Sequence, residues 1–166
     1  MMEQIERTRR YLNRLRSIYK GVPHTQDNRE YYTDDVYSFF IHCYHIRDWI
    51  VQLNIVGVSK KDVDTFINAH KELRICADLC NGTKHCVLTQ NMKTDRQPHL
   101  AGKSFTSIGM PDQICTIKGK FRILSGNKFH DALDIAESCM QLWDDFVASL
   151  KESANRRLGP ADGPHT

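Results

Sequence analysis

The sequence predicts a mainly α protein, an antiparallel four-helix bundle with a small β-hairpin inserted between helices three and four. Two observations carry this. Four segments repeat apolar residues at spacings of three and four. That periodicity fails over residues 87–127, where Pro98, Gly102, Gly109, Pro111, Gly119 and Gly126 punctuate short β-like runs. With 166 residues, 40% hydrophobic and 26% charged, the chain reads as one globular domain over residues 1–152 with length enough for a core.

Helix one is predicted over residues 3–20, where Ile5, Leu12, Leu15 and Tyr19 recur at helical spacing until Gly21 and Pro23 stop it. Helix two is predicted from an N-cap at Thr33 or Asp34 to about Leu53, with a stripe of Val36, Phe39, Phe40, Cys43, Ile46, Ile50 and Leu53. Arg47 falls inside that stripe by angle, so it needs a charged partner or a cleft to reach into. Helix three is predicted from Ser59-x-x-Asp62, a capping-box start, to Asn81-Gly82, a terminator, through Val63, Phe66, Ile67, His70, Leu73, Ala77 and Cys80. The hairpin is predicted to set Ile117, Phe121 and Ile123 on one face. Helix four is predicted over Lys128–Lys151 on Ala132, Ala136, Cys139, Trp143, Phe146 and Leu150. Residues 153–166, polar and rich in glycine and proline, are predicted to be disordered.

Charge is unevenly placed although the net is only +3. Residues 1–20 carry six Arg/Lys against Glu3 and Glu6, and residues 84–128 carry eight against Asp95 and Asp112. A basic first helix beside a basic middle segment is a candidate surface for a polyanion. No window reaches the roughly 18 apolar residues of a membrane span, and Met-Met-Glu-Gln-Ile-Glu-Arg holds no apolar secretory core. A cytoplasmic protein with no membrane partner is the expectation. Phosphate-loop and dinucleotide glycine patterns are missing, as is a nucleophile elbow.

The densest chemistry lies on residues 70–86. At 100° per residue, Arg74 and Asn81 fall within about 20° of each other, with His70, Asp78 and His85 within about 40° of Arg74. A histidine, an amide and a cation meet the needs of metal-independent RNA cleavage: an acid or base for the 2′-hydroxyl and a charge for the phosphorane. The plainer account makes Asn81-Gly82 a helix stop, sets Lys84 and His85 at the negative end of the dipole, and pairs Arg74 with Asp78. Cys76, Cys80 and Cys86 lie near His85, and His42 and His45 are three apart, but no CxxC pair or Glu-x-x-His occurs. The six cysteines are therefore read as structural thiols, and no metal or cofactor is expected.

The motif Asn81-Gly-Thr-Lys-His85 closing a bundle helix resembles the HEPN superfamily of small helical RNase and nucleotide-binding domains. That family's motif is an arginine, a polar residue and then a histidine; here Asn81 and His85 match, and Cys80 stands where the arginine belongs. Tyr44-His-Ile-Arg-Asp-Trp49 and Trp143-Asp-Asp-Phe146 also resemble phrases of bacterial proteins of this size. The resemblance implies an endoribonuclease-like or RNA-binding homodimer in a toxin or phage-defence setting. His85 would be its general acid/base, Asn81 the orienting group, and Arg74 or Arg47 the phosphate-stabilising cation. Lys84 with Lys118, Lys120 and Arg122 of the insertion would hold the RNA backbone. The alternatives are a non-catalytic dimerisation or protein-interaction module and a metal-binding bundle.

Overall fold

The computed structural model describes residues 2–23, 29–53, 57–88, 90, 92–109 and 115–157. Among them run α1 (Met2–Lys20), β1 (Val22–Pro23), α2 (Arg29–Gln52), α3 (Lys60–Ala69), α4 (Lys71–His85), β2 (His99–Ile108), β3 (Thr116–Ser125), β4 (Lys128–Asp131) and α5 (Ala132–Arg157). This is an α+β fold with five helices and a four-stranded antiparallel sheet, which corrects the four-helix bundle with a hairpin insertion. The sheet packs into the core rather than standing off as an appendage. Ile117, Phe121 and Ile123 are buried on one face of β3, as their alternation predicts, and share one cluster with Ile5, Leu12 and Leu15 of α1, Phe39 of α2 and Trp143 of α5.

α2 already runs from Arg29, ahead of the expected cap at Thr33 or Asp34. α5 continues past Lys151 to Arg157, so the expected disordered tail begins no earlier than residue 158 and lies outside the described residues. Three other predicted boundaries move for local reasons. The predicted third helix is two helices, broken at His70, whose backbone is extended (φ −116°, ψ 122°). The His70 Nδ1–H donates to the Phe66 carbonyl at 2.8 Å, so the His70 amide turns to Ile67 O instead and the ladder is interrupted. The Ser59–Asp62 capping box does form. Gly82 is not a terminator: α4 runs on to His85 and ends at Cys86, in a positive-φ conformation (φ 59°). Gly82 instead makes room for Gln97, whose amide nitrogen lies 2.8 Å from where a Cβ would be. That amide bonds Cys86 O, and its oxygen accepts from Leu88 N. The predicted start of the last helix at Lys128 is a strand: Gly126-Asn127 turns β3 back into β4, and the Asp131 carboxylate caps α5 by accepting from Leu133 N at 2.8 Å.

β3 pairs with β2 along one edge, and with β1 and β4 at the two ends of its other edge. Between β1 and β4 the Tyr19 hydroxyl donates to Phe121 O (3.1 Å) and accepts from Phe121 N (3.0 Å), standing in for a neighbouring strand. Gly119 faces the helices. A Cβ there would meet Ile18 Cγ2 at 2.8 Å and the Phe105 ring at 3.0 Å, so this mid-strand glycine lets α1 lie directly on the sheet. Gly119→Val is expected to lower stability by about 1–3 kcal/mol through overpacking, read as a reduced denaturant midpoint; an unchanged midpoint would show that α1 moves aside freely.

Candidate nucleic-acid interface

The residues expected to form a cleavage site are distributed over the surface of α2 and α4. Arg47 is clamped in place: Nε and Nη2 donate to the two carboxylate oxygens of Asp64 at 2.7 and 3.0 Å, and Nη1 donates to Asp48 at 2.8 Å. These carboxylates raise its pKa further. Arg74 stands in the first turn of α4 and His85 at its last residue, so eleven positions at 1.5 Å rise separate them by about 16 Å along the axis. Asn81, half-buried, lies one turn before the exposed His85 and beside the exposed Lys84. Asn81, Lys84 and His85 share a helix end; Arg74 lies at the other end of α4, and the Arg47 guanidinium is bound to Asp64 and Asp48. Asp78 does not pair with Arg74 either. Its buried carboxylate accepts from Lys93 N, Thr94 N and the Thr94 hydroxyl at 2.7–3.1 Å, and so fastens the segment after α4 to that helix.

The basic residues of the middle segment do gather. Inward Ile117, Gly119, Phe121 and Ile123 alternate with outward Lys118, Lys120 and Arg122, which project from the exposed face of β3 about 7 Å apart. Ser104 and Thr106 of β2 lie opposite Lys120 and Lys118. Among the described residues none of the three cations has an ion pair, whereas Lys103, one strand over, is held by Glu30 at 2.9 Å. The Arg122 guanidinium lies 5.4 Å from the centroid of Phe129, a ring 59% exposed.

Helix α1 divides its charge. Arg9 reaches Asp144 at 2.7 Å and Arg16 reaches Glu137 at 2.8 Å, which uses two arginines to hold α1 to α5. Arg7, Arg10 and Arg14, spaced three and four apart, instead line a cleft of about 680 Å³ against α2 with Tyr11 and Tyr32. Arg14 pairs with Asp35 at 2.7 Å and Arg7 with Glu3 at 2.8 Å; Arg10 has no carboxylate partner among the described residues. Val22 also lines this cleft, and a Cβ on the adjacent Gly21 would lie 3.3 Å from Lys118 Cγ. The arginine cleft and the β3 row are thus neighbours through β1. The charge count by segment showed both basic regions, and the i, i+3, i+7 spacing of Arg7, Arg10 and Arg14 was the signal that would have singled out those three.

Beside the cleft, His42 stacks on Tyr11 (centroids 4.8 Å apart), and its carbonyl accepts from the Gln4 amide at 2.7 Å. Burial first, then Arg7, His45 and Arg10, lower the His42 pKa. His45 is lowered by burial and Lys84, and His130 by burial and Lys71. The unfolded chain therefore binds more protons than the folded one below about pH 6.5. Stability is expected to fall as pH drops through that window, and denaturant midpoints measured from neutral to mildly acid pH should show it, with a flatter profile in His42→Gln.

The thiols cluster where no spacing could announce it. Cys43 of α2, Cys76 of α4 and Cys139 of α5 are fully buried, and their sulfurs lie within 4.8 Å of one another. These three are the described residues grouped as a metal would require, but the donor set suits packing better. Burial pushes the Cys76 and Cys139 thiols up, Cys76 donates to Phe40 O at 3.4 Å, and Cys43 and Glu72 both oppose a thiolate at Cys139. Only Cys43 is lowered, to about 5, where its burial is outweighed by hydrogen bonds from Cys139 and Cys76. Cys80, at the position of the family's arginine, is buried and its thiol is pushed up to about 11. Cys86 is exposed and Cys115 half-buried. A thiol reagent is expected to modify Cys86 quickly and Cys115 more slowly in the native protein, with the other four reacting only on unfolding; peptide mapping after a timed pulse checks the order.

Comparison with protein-family models, with curated proteins and with solved structures returned no significant match.

Proposed function

We propose that the protein binds single-stranded RNA across the exposed face of β3 and the adjoining cleft of α1. The observation that supports this best is the unpaired row Lys118, Lys120 and Arg122 beside the exposed Phe129. Unpaired cations on a rigid strand release counterions from a phosphate backbone at no cost in broken ion pairs, and an exposed ring next to an arginine offers a base a stacking platform. Ser104 and Thr106, opposite Lys120 and Lys118 on β2, add hydroxyl donors beside the cations. Arg10 and Arg14 would extend the contact past β1. Binding rather than cleavage is proposed, because Arg47 is committed to Asp64 and Arg74 lies far along α4 from His85.

Fluorescence anisotropy with a labelled oligoribonucleotide, over a range of salt, tests the reading, with a DNA of the same sequence alongside because phosphates are common to both. Each phosphate neutralised on a single strand contributes about −0.7 to the slope of log K against log salt. Replacing Lys118, Lys120 and Arg122 together by alanine is expected to make the slope shallower by about 2 and to weaken binding about tenfold or more, with the circular dichroism unchanged. RNA affinity that is the same in the triple variant ends this proposal. The same RNA recovered intact after incubation supports binding without cleavage.

A further inference from the structure

A second set of cations lies away from the outer sheet face. Lys71 and Arg74, at the first and fourth positions of α4, and Lys128, the first residue of β4, line a pocket of about 250 Å³. The pocket is closed by Thr94 and by the Ser125–Asn127 turn. None of the three cations has an ion pair among the described residues, and Arg74 Nε is buried without any hydrogen-bond partner. The carboxylate one turn further along the helix, Asp78, is taken by Lys93 and Thr94. Two cations in the first turn of a helix sit at the positive end of the macrodipole, where like charge is disfavoured. The N-cap, His70, contributes no side-chain hydrogen bond to ease this. Glu72 in the same turn and the exposed Asp95 of the lining offset part of this charge, and the cationic surplus left in the pocket is what an anion would complete.

We propose that this pocket binds a phosphomonoester. Arg74 and Lys71 would take its oxygens from the α4 side, Lys128 from β4, and the Ser125 hydroxyl and Asn127 amide would supply neutral donors at the turn. The Asn127 amide oxygen already accepts from Arg96 at 3.4 Å, which leaves its NH₂ group to donate. The acid of the lining, Asp95, is exposed, and Glu72 of the same helix turn lies near His130 rather than in the lining. A dianion matches three cations set against one exposed carboxylate better than a diester does. A phosphomonoester reaches the pocket either as a small molecule or as the 5′ end of an RNA. The proposal does not depend on the sheet face, since Lys118, Lys120 and Arg122 are not among the residues lining this pocket.

Thermal unfolding in inorganic phosphate, against chloride at equal ionic strength, is the test. Phosphate should raise the midpoint of the wild-type protein, and the rise should vanish in Arg74→Gln and in Lys71→Gln/Lys128→Gln. In phosphate-free buffer the lysine pair variant should be at least as stable as the parent, since it removes unpaired charge from a helix N-terminus; a purely structural pair of lysines would give a loss instead. Nuclear magnetic resonance gives a readout independent of stability: bound phosphate should raise the His130 pKa by offsetting Lys71 and Lys128, and should shift the Gly126 and Asn127 amides. Affinity for phosphate should fall about tenfold or more on loss of Arg74. A 5′-phosphorylated oligoribonucleotide that binds more tightly than its 5′-hydroxyl counterpart, with the difference lost in Arg74→Gln, identifies an RNA end as the ligand. Equal binding of the two, with competition by a nucleoside monophosphate, identifies a small molecule. The Lys118/Lys120/Arg122 variant should bind phosphate normally, which separates failure of this proposal from failure of RNA binding on the sheet. No phosphate-specific stabilisation, or one that persists in both pocket variants, overturns it.

Discussion

The buried carboxylate of Asp78 holds the two halves of the fold together. It sits on α4, among helices, and accepts two backbone amides and a hydroxyl from Lys93 and Thr94, in the segment that leads to β2. A carboxylate in an apolar core is costly unless its oxygens are satisfied, and here the satisfaction comes from the next piece of chain. The path from helix layer to sheet is therefore fixed at its start, and the register of β2 on β3 begins from a fixed point. Lys93 strengthens the anchor by reaching Asn68 of α3 through its ammonium group at 2.8 Å.

That interaction also explains which parts of the fold could be read from the sequence. Helical stripes were legible because α1, α2 and α5 bury one face each, and Leu15, Phe39, Phe40 and Trp143 fall where the period puts them. Arg47, flagged as out of place on an apolar stripe, does have its carboxylate on a neighbouring helix. Asp78 misled because an arginine four residues before it is the usual local partner, and spacing along a helix carries no information about a segment fifteen residues later. The sheet was underestimated for a related reason. Gly119 in mid-strand and the bulge between Leu100 and Gly102 weaken the alternation that marks a strand. The packing that those features permit, α1 lying directly on β3, appears only in three dimensions.

The candidate site follows the same division. The surplus of Lys and Arg over residues 84–128 was visible by counting, and alternation along β3 was enough to set Lys118, Lys120 and Arg122 on one face. What counting missed was how much charge is already neutralised. Arg9 and Arg16 serve the α1–α5 interface, and in the row facing α2 only Arg10 has no ion pair among the described residues. The grouping of Lys71 and Arg74 with Lys128, more than fifty residues away, required the β3–β4 turn to fold back towards the start of α4.

Tyr19 has a consequence for how this protein meets its neighbours. The gap it fills between β1 and β4 is an unpaired length of strand edge, the kind of backbone template onto which a strand from another molecule can add. Most sheets guard such an edge with a charge, a proline or a bulge; this one is capped by a phenol delivered from a helix, both of its polar functions occupied by Phe121. Protection against intermolecular pairing is thus tied to the docking of α1. Any condition that loosens this helix uncovers a sticky edge together with the apolar face behind it, so colloidal behaviour and helix docking in this chain stand or fall together.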